Sequence, residues 1–413
     1  MITPSFSLTA TERVLPRLAL DWTTGLAQSG VDVARAGTAT FVGSNGFIQL
    51  ATANTQRVDW SKETPGLLVE ESRTNSITNS DYVNLAGWNG VNSVRGSASI
   101  VYPAGLSGGS LIIDSAANDR HIAFKQFTSV AATYSQSMYF AQGTLRYVQL
   151  QLSGPANNFG VVADLEEGII TDTYTSNSAP GSFYGIEDAG NGWWRVWCGL
   201  TITAGIAYAV IATSNSATPT YGAAGNPVYI GTSQLVYAYG LQVEVGAFPT
   251  SYIPTAGSAV TRNADVATMT GTNFSDWYSD NGSVYCELTP LAITSKLSLY
   301  FNDGVNTGES NFLYNATNVL YFRSRSGGST QATLNAGANS FVVGQTVKAV
   351  AGWADNNFGL ARDGNTPSTT LSGTVSTAIT QLAIGEVGVN NIYRKIMFWP
   401  QKLTTAEIQA FSK

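Results

Sequence analysis

Apolar and polar residues alternate along this chain with a period of two, and helical spacing is almost absent. In "WWRVWCGLTIT", Trp193 to Thr203, one face holds Trp194, Val196, Cys198, Leu200 and Ile202. The other holds Trp193, Arg195, Trp197, Gly199, Thr201 and Thr203. A wholly apolar face must turn to a core, so Arg195 and Trp197 are expected to turn away from it. "RYVQLQL" repeats the split, with Arg146, Val148, Leu150 and Leu152 on one face and Tyr147, Gln149 and Gln151 on the other. Turn clusters such as "SGPANN" and "DAGNG" separate the short strands. This pattern predicts an all-β fold built as a sandwich.

A second alternating block begins near Gly271, with "SVYCELTP", "KLSLYFND", "NVLYFRSR" and "TVKAVAGWADNNFGLARDGN". The last is a strand pair turning back on itself, closed by a "DGN" turn tolerant of positive φ. The chain ends in "KIMFWPQKLTTAEIQAFSK". There a strand stops at Pro400 and a short helix is predicted, with Thr404 as N-cap and Glu407 as its capping-box partner. Leu403 and Ile408 stand where a hydrophobic staple would.

Between the blocks lies "GLQVEVGAFPTSYIPTAGSAVTRNAD", Gly240 to Asp265. It opens as a strand and continues as a strap. Pro249 and Pro254 forbid central-strand pairing, so the strap is expected to be a stiff spacer between two independently folding bodies. Thr270 to Lys413 is then expected to fold alone. "GLLVEESRTN", Gly66 to Asn75, opens in nearly the same way and reads as the entry into the first sandwich. The resulting division is an N-terminal segment 1–75, a sandwich 76–255, a linker 256–270 and a second sandwich 271–413.

Composition adds limits. The 413 residues are 44% hydrophobic and only 12% charged, with a net charge of −6. The surface must therefore be largely Ser, Thr, Asn, Gln and Gly. With no run of Lys or Arg, a nucleic-acid partner is not expected. No apolar stretch is long enough to span a membrane. "MITPSFSLTATERVLPR" lacks the apolar region of a secretory signal, so an extracellular role would be reached by assembly into a particle made in the cytoplasm and released by lysis. Cys198 and Cys286 are expected to be buried free thiols.

Catalytic chemistry finds little support. The single histidine, His121, has no G-x-S-x-G elbow to serve. Asp164, Glu166 and Glu167 in "ADLEEG", and Glu187 and Asp188 in "IEDAG", stand beside glycines and read as turns rather than as a glycosidase pair. A carboxylate pair assembled from distant strands stays open. "FNDGVN" and "DNNFGLARDGN" carry oxygens that could hold a structural Ca2+, although turn chemistry accounts for them. No other cofactor is expected.

"ARAGTATFVGSNGFIQLATANTQRVDW", "GLLVEESRTNSITNS", "GWWRVW" and the strap, in this order, resemble a family of bacteriophage, prophage and gene-transfer-agent appendage proteins, the head spikes, head fibres and tail fibres. "AVAGWADNNFGLARDGN", "LAIGEV" and "IMFWPQKLTTAEI" resemble the concanavalin A-like, laminin-G type sandwich. The resemblance implies a carbohydrate-binding jelly roll followed by a concanavalin A-like sandwich, on the surface of a virion. It also implies an N-terminal segment that docks onto other virion proteins at the capsid vertex, spike base or tail. Further copies of the chain are an additional candidate partner. The implied function is non-enzymatic binding of host capsular polysaccharide or lipopolysaccharide. A purely structural fibre spacer and a polysaccharide-degrading spike are the alternatives.

Sugar recognition needs flat apolar surfaces and planar hydrogen-bonding groups. Tyr147, Gln149, Gln151, Arg195 and Trp197 supply both on outward faces, and they form one platform if their two strands share a sheet. Alternatively Trp193 and Trp197 cover an inter-domain or subunit contact, with Arg195 stacked on a tryptophan.

Overall fold

The computed structural model describes residues 15–413 apart from 82, 84–85, 294–295, 305–309, 317 and 387. The protein is nearly all β, as the alternation predicts. It divides into two compact units, one of residues up to 33, 64–69 and 266–413, the other of 34–63 and 70–265.

The 34–63/70–265 unit is a sandwich of two six-stranded antiparallel sheets. One sheet runs in the order Phe183–Asp188, Trp193–Ile202, Ala132–Gln142, Leu235–Val245, Ser107–Asp114, Ser93–Val101. The other runs Ile169–Ser176, Asn158–Asp164, Tyr147–Ser153, Gly205–Ser214, Ile122–Ser129, Asn89–Val91. The core between them takes Val196, Cys198, Leu200 and Ile202 from the first sheet and Val148, Leu150 and Leu152 from the second. Both period-two assignments therefore hold. Cys198 and Cys286 are free and buried, and burial pushes the Cys198 thiol up to about 12.

One polar residue interrupts this core. Gln136 is fully buried, and neither its amide nitrogen nor its oxygen finds a hydrogen-bond partner among the described residues. Its strand neighbours are Cys198 and Val243, both core residues. An unsatisfied buried amide costs on the order of 1–3 kcal/mol. Gln136→Met keeps the length and shape of the side chain without the polar atoms. We expect it to raise the thermal midpoint by several degrees in a calorimetric melt; a lower midpoint would show that the amide is satisfied in solution.

The other unit is also a sandwich. Its first sheet runs Ser368–Thr370, Asn357–Arg362, Val347–Ala354, Gly282–Pro290, Asn391–Trp399, Gly66–Val69, and Leu18–Asp21 also pairs with Asn391–Trp399. Its second sheet is Asp32–Ala34, Val266–Met269, Gln381–Ile384, Leu297–Asn302, Ser310–Ala316, Val319–Ser326, Ser329–Asn335. Phe301, Phe322 and Phe398 surround Trp353, with ring centroids 5.4, 5.8 and 5.9 Å from it. The C-terminal helix, Thr405–Phe411, carries the predicted capping box between Thr404 and Glu407. Leu403 and Ile408 are both buried against Tyr285, Val350 and Trp399. The Ile408 side chain can lie this close because the strands beneath it present Gly352 opposite Gly359. A Cβ at either glycine would meet the Ile408 Cδ1 at 3.1 or 3.0 Å.

The division into units differs from the expected boundaries at 75, 255 and 270. The first 75 residues do not stand apart, because their described strands are distributed between the two units. Nor is the strap a spacer. Thr250, Tyr252, Ile253 and Thr255 are buried in the sandwich that the strap leaves. Proline denies the strap a place in a sheet, but not a place on top of one. The two similar phrases meet there. Arg73–Asn75 pairs antiparallel with Val260–Arg262. The Asp265 N–H donates to Glu70 O at 3.0 Å, while the Glu70 N–H donates to Asp265 Oδ2 at 3.0 Å.

Candidate functional site

The five expected sugar-binding residues are not brought together. Trp193–Ile202 and Tyr147–Ser153 belong to opposite sheets of the sandwich, so no shared platform forms. Every one of the five does turn away from the core, but three are buried all the same. Gln149 and Gln151 are covered by the segment that follows the Gly205–Ser214 strand. Gln149 Nε2 donates to Gly225 O at 2.7 Å, and Gln151 Nε2 donates to Ala224 O at 3.1 Å. Asn226 Nδ2 donates to both glutamine side-chain oxygens, at 3.0 and 3.2 Å. These amides hold a loop in place and lie buried beneath it, out of reach of sugar hydroxyls. Tyr147 remains half-buried, with the Arg146 guanidinium 5.5 Å from its ring centroid.

Arg195 is buried by the strap. Its Nη2 donates to Thr250 O at 2.6 Å and to Ser137 Oγ at 3.1 Å. Its guanidinium carbon stands 5.5 Å from the centroid of Tyr139, not of a tryptophan. Around it, the outer face of the sheet carries a second apolar layer of Trp193, Tyr102, Tyr139, Tyr239 and Tyr252. Beside that layer lies a buried ionic lattice. Arg57 Nη1 donates to Glu70 Oε2 at 2.8 Å, and its Nη2 donates to Asp265. Arg35 Nη1 donates to Asp265 Oδ1 at 2.7 Å, and Arg262 lies 3.7 Å from Glu70. Ser251 of the strap donates twice to Glu70, through N–H at 2.8 Å and Oγ at 2.6 Å. Burial alone would push the Glu70 carboxyl up. The Arg262 and Arg57 guanidiniums and the Ser251 hydrogen bonds outweigh it and hold the carboxyl down at about 2.

What remains of the expected platform is Trp197. It is half-buried, and its ring covers the place where a Gly185 side chain would stand. A Cβ there would lie 2.2 Å from Trp197 Cζ2 and 2.5 Å from Cε2. Half-buried Phe183 covers Gly199 in the same way, with Cζ at 2.2 Å. Register places Gly185 opposite Trp197 and Phe183 opposite Gly199. The sheet thus shows two aromatic rings seated on bare backbone. "FYGIED" and "RVWCG" carry this signal in sequence as aromatic and glycine two residues apart, in antiparallel register.

The opposite sheet bears an aromatic patch that the sequence analysis does not single out. Phe124 and Tyr208 are half-buried on its outer face, edge to face at 5.8 Å, over Ile122, Val210 and Ala212. Tyr174 and Tyr221 lie 5.0 Å apart, and Tyr221 Oη donates to Asp172 Oδ2 at 2.9 Å. The alternation in "HIAFKQF" and "IAYAVIATS" is the signal that could have found it.

The candidate chemical groups take part in local structural contacts. His121 is fully buried, edge to face with Tyr229 at 4.6 Å. Its Nδ1 lies 2.7 Å from Asn92 O and its Nε2 3.1 Å from Tyr229 O, so backbone groups occupy both ring nitrogens. Asp164 caps its own turn through Oδ1, which accepts from the Glu166 and Glu167 N–H groups, and it also binds Arg146. Glu187 stands 3.0 Å from Lys62 Nζ, and Asp188 caps Gly190 N–H. No group of three or more His, Cys, Asp or Glu among the described residues could hold a metal. In the loops considered for calcium, Asp355 Oδ1 and Asp363 Oδ1 accept from Val375 and Lys348 N–H, and Asn302 Oδ1 accepts from Gly304 N–H. Val305 and Asn306 of "FNDGVN" lie outside the described residues.

No family model and no curated protein sequence matches the chain. Among solved structures it is similar to domains LG4-5 of the mouse laminin α1 chain, at 10% identity and a TM-score of 0.26, over 70% of this chain and 88% of that one. It is also similar to a Trypanosoma rangeli sialidase in complex with sialic acid, at 10% identity and a TM-score of 0.26, over 91% of this chain and 83% of that one. The sialidase in complex with the inhibitor DANA stands at 12% identity and a TM-score of 0.25, over 92% and 91%.

Proposed function

We propose that this chain is a virion appendage protein that binds polysaccharide on the host cell surface without cleaving it. In this reading its N-terminal residues attach it to other virion proteins. The observation that carries the binding role is Trp197 seated on Gly185, with Phe183 beside it on Gly199. A ring supported from below by backbone presents a flat apolar surface at little cost in ordering, which is what stacking on a pyranose requires. The sparsely charged surface implied by 12% charged residues suits a neutral, hydroxyl-rich ligand.

Two variants test the reading. Trp197→Ala removes the ring. Gly185→Ala leaves the ring in the sequence but pushes it off its seat, since the new Cβ would stand 2.2 Å from Trp197 Cζ2. Losing one aromatic anchor commonly costs about 2 kcal/mol of binding, or roughly thirtyfold in affinity. Both variants are expected to show this loss when titrated with the host's capsular or lipopolysaccharide fraction. Their melting curves should stay close to wild type, because neither position faces the core. Unchanged affinity in both variants would exclude this face.

A further inference from the structure

The loop that buries Gln149 and Gln151 supports an aromatic ring on the sheet opposite Trp197. On the Ile169–Ser176 edge strand, register sets Asp172 beside Val162 and then Gln149, and Tyr174 beside Gly160 and then Gln151. Asp172 and Tyr174 therefore share the outward face of the two glutamines. Gln149, Gln151 and Asn226 fix the loop through their amides, and Thr171 Oγ1 donates to Ala217 O at 2.8 Å near its start. Fixed in this way, the loop places Gly225 against the Tyr174 ring. A Cβ at Gly225 would meet Tyr174 Cε1 at 2.1 Å, Cδ1 at 2.4 Å and Cζ at 2.6 Å. Gly225 also has a φ of +78°, so both the backbone and the ring call for glycine. Trp197 rests on Gly185 in the same manner, except that there a neighbouring strand supplies the glycine.

Polar groups surround that ring. The Tyr221 ring centroid lies 5.0 Å from that of Tyr174, with the ring planes tilted by 47°. Tyr221 Oη donates to Asp172 Oδ2 at 2.9 Å, and the Thr173 N–H donates to Asp172 Oδ1 at 2.8 Å. A carboxylate offers about four lone-pair positions, and these contacts use one on each oxygen. Asp172 has no ion-pair partner among the described residues, and the Tyr174 hydroxyl has no hydrogen-bond partner among them. Asp172, Tyr174 and Tyr221 are all half-buried, so each is reached by solvent.

We infer that Tyr174, Tyr221 and Asp172 form a second sugar-binding site. Tyr174 offers the flat surface for a pyranose ring, while Asp172 and the Tyr174 hydroxyl bind the sugar hydroxyls. The inference takes its ligand class from the glycan-binding reading but uses neither Trp197 nor its sheet. An organic cation fits less well. Aromatic cages enclose an ammonium with several ring faces. Here the two rings pack on one another, and Gly225 takes one face of Tyr174. Trp197 and Tyr174 lie on opposite outward faces of one sandwich, whose sheets stand about 10 Å apart. One sugar ring cannot touch both, so each chain carries two independent sites and can hold two polysaccharide strands. Tyrosine offers less area than tryptophan, so the Tyr174 site is the weaker, and Trp197→Ala still lowers the affinity for whole polysaccharide.

The test uses the full chain. The probe is the host's capsular or lipopolysaccharide fraction, cut to oligosaccharides too short to reach both faces. Isothermal titration calorimetry should count two sites on wild type, one on Trp197→Ala, one on Tyr174→Ala and none on the double variant. Tyr174→Leu keeps apolar cover over Gly225 but offers no flat ring. It should lose the same site at an unchanged melting temperature, and Asp172→Asn should weaken that site about tenfold. A wild-type count that neither Tyr174 variant lowers overturns the inference and leaves the Trp197 reading intact. A count that falls with the Tyr174 variants but not with Trp197→Ala supports the inference and overturns the Trp197 reading. Oligosaccharides that fail to bind even wild type overturn both. Tetramethylammonium that binds wild type more tightly than the oligosaccharides, and is lost in Tyr174→Leu, overturns the inference alone.

Discussion

A fragment of Thr270 to Lys413, expressed alone, is expected to be unfolded or aggregated. The sequence suggests the opposite, since this stretch reads as a complete second sandwich. The structure builds the unit with strands from elsewhere. Leu18–Asp21 and Gly66–Val69 pair with Asn391–Trp399, and Val266–Met269 pairs with Gln381–Ile384. Leu20, Trp22, Val33, Leu67, Leu68, Val69, Ala267 and Met269 are all buried. Each large apolar side chain contributes about 1.5–3 kcal/mol when fully buried. Losing several of them exceeds the roughly 5–15 kcal/mol that holds a domain folded. The Asn391–Trp399 strand would also be left with an open apolar edge, a template for aggregation. Circular dichroism and a thermal melt of the fragment decide the matter. A soluble fragment with a single cooperative transition would show that the borrowed strands are dispensable.

Arg57→Met is expected to cost the 34–63/70–265 unit about 3–5 kcal/mol, because it leaves Glu70 and Asp265 buried without their shared partner. In a unit of this size that is a fall of roughly 10 °C in melting temperature. Adding Glu70→Gln to Arg57→Met should recover part of the loss by removing one of the stranded charges. A single variant that melts with wild type would show that the lattice is solvated. The same lattice sets the response to acid. Glu70 is held at about 2 against an ordinary value of 4.5. Its folded pKa lies below its unfolded one, so its contribution is full above about 4.5 and is lost as pH falls toward 2. That contribution is about 3 kcal/mol by linkage. Burial pushes the Asp59 carboxyl the other way and offsets part of it. Stability measured from pH 6 down to pH 2 should fall most steeply below 4.5, and the slope should flatten in Glu70→Gln.

Part of the fold is legible in the amino-acid sequence alone. Alternation assigns the inner faces of Trp193–Ile202 and Tyr147–Ser153, because a strand exposes only two faces and an unbroken apolar one has only one place to go. The C-terminal helix is legible for a related reason. Its capping box lies within four residues and needs nothing distant. Turning away from the core, however, is not the same as facing solvent. Arg195, Gln149 and Gln151 obey the alternation and are still buried, under Thr250 in one case and Gly225 and Asn226 in the other.

Local alternation thus determined the all-β class, the strands and their inner faces, and the capping box determined the terminal helix; each depends only on neighbours along the chain. Only the tertiary structure decided which strands share a sheet, that the strap lies on the sandwich it leaves, and that early strands complete the late unit. Glu70 meets Asp265 across 195 residues. Contacts of that range depend on where the whole chain returns, and period-two alternation reports which side a residue faces but not what comes to cover it.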